Sequence, residues 1–64
     1  MIKAAGREFP ATPEGLRCAV IVAESAGSGK VYVNGRKESL DDARLIIRQT
    51  ERTIRKWIMK ERRK

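Results

Sequence analysis

The chain has 64 residues, with 15 Lys and Arg against 8 Asp and Glu, a formal charge of +7, one cysteine and no histidine. That length allows one small domain with a marginal core. The lone Cys18 excludes an internal disulfide, and the lack of histidine excludes a His-based metal site or catalytic triad. The charge is also unevenly placed: residues 1–43 carry six basic and six acidic side chains, whereas residues 44–64 carry nine basic and two acidic. A basic last third points to a polyanionic partner, set against the plainer reading of a solvated helix face with a basic tail.

Residues 1–15 read as an N-terminal arm or edge strand, with Ile2 and Ala4 alternating weakly before Gly6, followed by a Pro-rich connector. Pro10 and Pro13 exclude a central strand there, and Thr12-Pro13-Glu14 also suits the start of one helical turn, capped by Thr12. Residues 16–35 read as a β-hairpin in which 17–23 pairs with 30–33 around the loop Glu24-Ser25-Ala26-Gly27-Ser28-Gly29. With Ala23 opposite Lys30, one face collects Cys18, Val20, Val22, Val31 and Val33, and the other Ala19, Ile21, Ala23 and Tyr32. The second face is apolar enough to expect a cover, from the arm or from a second subunit. Asn34-Gly35 marks a tight turn.

A single long helix is expected over residues 39–62, with 63–64 as a basic tail. Ser39 is its N-cap, with Asp42 three residues on, and Asp41 and Asp42 suit the first turn. Apolar positions 40, 43, 47, 54 and 57 form its stripe, with Thr50 the one polar member and Ile46 and Ile58 at the margin. A helix of ~20 residues spans ~30 Å, longer than a seven-residue strand at ~23 Å. Trp57 and Ile58 are therefore expected to overhang the sheet and, with Ile54, Ile21 and Tyr32, to meet a partner, most simply a second copy in a homodimer. The fold class expected is α+β: one domain, a hairpin or three-stranded sheet packed by one C-terminal helix. No repeat is evident. The strand–strand–helix order is similar to that of small three-stranded-sheet DNA-binding domains, such as the arm-binding domains of integrases.

Little here suits catalysis. Ala26-Gly27-Ser28-Gly29-Lys30 looks like a phosphate loop, but Glu24 stands where a Walker motif needs Gly, and Val31 where it needs Ser or Thr. Cys18 has no histidine to activate it and is expected to be a buried apolar residue. Adjacent Asp41 and Asp42 point ~100° apart on a helix and cannot form a facing acid–base pair. No enzyme, cofactor or metal is expected.

The arginines carry more information. Arg44, Arg48, Arg52 and Arg55 fall in one band of the expected helix, Arg62 continues it, and Lys56 and Arg63 lie at its margin. Glu51 has both Arg48 and Arg55 within pairing distance along the helix. Arginine's planar fork suits phosphate oxygens and guanine edges, and the chain has no aromatic cluster for stacking unpaired bases. Tyr32, expected near Lys30 and Arg17, is a lone candidate for stacking. The expectation is a non-enzymatic nucleic-acid-binding protein, duplex DNA favoured over RNA, acting as a homodimer and of the regulator type. The alternative is an interaction module, such as a phage-type inhibitor or accessory subunit, that docks its basic helix on an acidic protein. With one cysteine and no apolar run of signal or membrane-spanning length, a cytoplasmic setting is expected.

Overall fold

The computed structural model describes residues 1–60. Positions 61–64, which include Arg62, Arg63 and the expected basic tail, lie outside the described residues. Two β-hairpins alternate with helices in the order β1 (Ile2–Ala4), β2 (Arg7–Phe9), α1 (Pro13–Ser25), β3 (Lys30–Val33), β4 (Arg36–Ser39), α2 (Leu40–Ile46) and α3 (Glu51–Ile58). The four strands form one antiparallel sheet in the order β2-β1-β3-β4. The class is α+β, but among the described residues the sheet has four strands and the helices number three.

The segment expected to be the first hairpin strand is helix α1. Its buried residues Leu16, Ala19, Val20 and Ala23 recur at helical spacing. Its start was legible: Thr12 accepts a hydrogen bond from the Gly15 amide at 3.0 Å, Pro13 occupies the first turn and Glu14 supplies the acidic residue there. The β-branched run Val20-Ile21-Val22 favours a strand locally, but burial of one helical stripe against the sheet overrides that preference. Cys18 and Ile21 consequently lie on the exposed side of α1, not in a sheet. The segment 26–30 is not a hairpin loop either. It ends α1 and enters β3, with the Ser28 amide donating to the Ala23 carbonyl at 2.8 Å and Gly27 at φ +71°.

Val31 and Val33 do share a buried face, and Tyr32 points to the other, as the alternation requires. Their neighbours are different ones. β3 pairs with β1 through Ile2↔Val33 and Lys3↔Tyr32, and with β4 through Tyr32↔Lys37 and Val33↔Arg36. The N-terminal arm is thus a hairpin whose first strand is central in the sheet. Both hairpins turn through two residues of positive φ, Ala5 (51°) with Gly6 (79°) and Asn34 (50°) with Gly35 (86°), the conformation that matches strand twist. Each hairpin leads into a helix, so a ββα unit occurs twice and the sheet order reads alike from either edge. This element order removes the similarity to three-stranded DNA-binding domains.

The expected long helix is two. α2 starts where the sequence indicated, with the Asp42 amide donating to Ser39 Oγ at 3.1 Å. It ends at Ile46, and α3 begins after Thr50, whose Oγ1 accepts from the Thr53 amide at 3.3 Å. Thr50, the polar interruption of the stripe, is an N-cap. A continuous helix over the same residues would be ~30 Å long, exceeding the 27 Å maximum extent of the molecule. The break instead returns α3 against α1 and α2 and buries Ile54 and Ile58 completely. No overhang forms, and these two isoleucines belong to the chain's own core rather than to a partner surface. Replacing Thr50 with alanine is expected to cost about 1 kcal/mol, and serine at the same position is expected to restore the midpoint of urea denaturation.

The core comprises Ile2, Ala4, Leu16, Ala19, Val20, Ala23, Val31, Val33, Leu40, Ala43, Ile54 and Ile58, with Phe9, Ile46, Ile47 and Trp57 packed around it. Arg36 is buried among them. Its guanidinium donates to the Trp57 (2.8 Å), Ile58 (3.2 Å) and Lys60 (2.5 Å) carbonyls and to Glu38 (3.0 Å), and lies 5.7 Å from the Trp57 ring centroid. Asn34 Nδ2 adds a hydrogen bond to the Ile58 carbonyl at 3.0 Å. The β3–β4 hairpin therefore caps α3, placing a cation at the negative end of its dipole. Among the described residues, no helix is long and apolar enough to cross a membrane.

Candidate nucleic-acid interface

The break between α2 and α3 divides the expected arginine ridge into parts with different surroundings. Arg44, on α2, is engaged. Its Nε donates to Glu24 of α1 at 2.6 Å and its Nη1 to Asp41 at 3.2 Å, so it ties α2 to α1 at the surface. With both partners substantially exposed, such a link contributes little stability, but it neutralises Arg44 as a free phosphate ligand. Arg48 is exposed in the turn between the two helices.

α3 presents the remaining described members. Burial of Ile54 and Ile58 fixes the helix rotation and leaves Arg52, Arg55 and Lys56 exposed. No ion pair to any of these three occurs among the described residues, and the possible contacts of Glu51 to Arg48 and Arg55 do not form within 4 Å. Three cations on two successive turns, with no acidic side chain in contact among the described residues, make a surface that can bind anionic oxygens without first breaking those pairs. Lys60 follows them in the chain. Arg62 and Arg63 fall outside the described residues.

The expected partner surface comes apart. Ile54 and Ile58 are in the core; Trp57 is half-buried, with the Arg36 guanidinium over its ring. Ile21 is on α1 and 61% exposed. Tyr32 is on the sheet face remote from the helices, beside Lys30 but not Arg17, which lies on α1. Sequence reasoning missed Lys3 and Lys37, which the strand register places on either side of Tyr32. Their signal was the alternation in Ile2-Lys3-Ala4, legible only once that segment is known to be a central strand. Among the described residues, no group of three or more Cys, Asp or Glu side chains is placed to hold a metal ion. Comparison with protein-family models, curated proteins and solved structures finds no match to this chain.

Proposed function

We propose that the protein is a small non-enzymatic nucleic-acid-binding protein that contacts the phosphate backbone of duplex DNA through the outer face of α3. The observation that carries this reading is the exposure of Arg52, Arg55 and Lys56 on a helix whose opposite side is anchored by Ile54 and Ile58. The sequence continues this basic character through Lys60, Arg62, Arg63 and Lys64. A rigidly held row of cations positions phosphate contacts and gives salt-dependent affinity.

The test is a titration with a mixed-sequence duplex over a range of salt. The wild type is expected to bind at low salt. Arg52→Ala with Arg55→Ala is expected to make the slope of log K against log salt shallower by about 1.8, with the circular dichroism spectrum unchanged. No duplex binding at low salt would overturn the reading.

A second reading is an interaction module for an acidic protein. It is favoured by Leu45 and Met59, which are 61% and 66% exposed and add apolar area of the kind that protein interfaces use. A stoichiometric protein partner that survives nuclease treatment would select it.

A further inference from the structure

We infer that the open face of the sheet is a second binding surface, built to hold a single strand of nucleic acid with one base on Tyr32. This inference goes beyond the α3 surface and uses none of its residues. The inward-facing residues of the two central strands, Ile2, Ala4, Val31 and Val33, are buried under the helices. Their outward-facing neighbours form the opposite face, and no described element covers it.

The register defines what that face offers. Tyr32, on a central strand, is directly opposite Lys3 on one side and Lys37 on the other. Lys30, two residues away on the same strand and same face, holds its ammonium 5.9 Å from the Tyr32 ring centroid. The one acidic residue in the row is Glu8, opposite Lys3 with a 3.9 Å separation between charged atoms, both side chains being more than half exposed. The face therefore carries three lysines against one glutamate around a single aromatic ring that is 38% exposed. Shallow clefts of about 330 and 350 Å³ lie on the two sides of the ring, one reaching Lys30 and Ser28, the other Asn34 and Gly35, with Lys3 lining both.

Those features match the chemistry of an unpaired polynucleotide. A base needs a flat π-surface and a neighbouring recess, while the flanking phosphates need cations spaced along the path of the strand. Four-stranded sheets that stack bases on exposed aromatic side chains provide this combination, and Tyr32 supplies one such ring here. Here Lys3 and Lys37 lie across the strands on either side of the ring. When a base stacks on Tyr32, it displaces the Lys30 ammonium toward the phosphate of that nucleotide. A protein partner is the less suitable occupant, since beside the ring the face offers, among the described residues, one large exposed apolar side chain, Met1, against three lysines.

The experiment is fluorescence anisotropy with a labelled ten-residue oligo(dT), which has no secondary structure of its own, at low salt. Tyr32→Ala is expected to weaken binding by about 5- to 150-fold, and Tyr32→Phe to retain it. Lys3→Ala with Lys37→Ala is expected to reduce the salt slope by about 1.4, the value for two phosphate contacts on a single strand. Arg52→Ala with Arg55→Ala is expected to leave the Tyr32 dependence intact, which separates this surface from the α3 surface. Absence of oligo(dT) binding, or equal affinities of wild type and Tyr32→Ala with the fold intact by circular dichroism, would overturn the inference.

Discussion

Arg36→Ala is expected to remove about half of the protein's folding stability. The substitution removes a buried guanidinium that satisfies three carbonyls at the end of α3 and pairs with Glu38, whose side chain is only 15% exposed. Breaking a buried pair from one side costs about 3–5 kcal/mol, because the remaining charge stays desolvated without compensation. A chain of this size has a total stability of about 3–10 kcal/mol. Lysine is expected to rescue little, since one ammonium cannot serve a carboxylate and three carbonyls in a fixed fork. Urea denaturation followed by Trp57 fluorescence measures the loss, because the guanidinium lies over that ring. Adding Glu38→Gln to Arg36→Ala should recover part of it. A double variant no more stable than the single one would show that the loss comes from the helix cap rather than from the stranded carboxylate.

Gly15→Ala is expected to destabilise by about 1–3 kcal/mol, which reverses the usual helix preference. Alanine normally stabilises a helix interior relative to glycine by roughly 1 kcal/mol. Here a Cβ at position 15 would lie 1.9 Å from the Pro10 carbonyl oxygen and 2.9 Å from its carbon. The obstruction is backbone, so it cannot swing aside; α1 or the connector must move. That movement would disturb Leu16 and Ala19, both fully buried. Thermal denaturation of Gly15→Ala beside Glu14→Ala, an exposed control on the same turn, gives the sign directly. A higher midpoint for Gly15→Ala would refute the close packing of Pro10 on α1.

What the sequence made legible was chiefly local. The Asn34-Gly35 turn, the Ser39 cap, the inward alternation of Val31 and Val33 and the start of a helix at Leu40 each depend on neighbours within a few residues, and each is present. The misreadings depend on distant ones. Residues 17–23 are β-branched enough to favour a strand, and only the hairpin formed by residues 2–9 shows that the central position is already taken. The Thr50 cap looked like one polar entry in a stripe because nothing local indicates that α3 must return to meet Arg36. Arg36 itself counted only as a charge, since its burial requires a helix end 21 residues further along the chain to lie beside the hairpin.

The same dependence limits the site. The exposure of Arg52, Arg55 and Lys56 follows from the helical period, and sequence patterning found it. The engagement of Arg44 by Glu24 needed the α1–α2 packing, and the Lys3–Tyr32–Lys37 row needed the strand order.

The sheet order has one more consequence. The most apolar strands, β1 and β3, are paired on both sides, and the two outer strands are short and charged: Arg7-Glu8-Phe9 on β2 and Arg36-Lys37-Glu38-Ser39 on β4. Short edges bearing both signs of charge resist the addition of a further strand. Aggregation by edge-to-edge extension is thereby discouraged by the edge strands themselves.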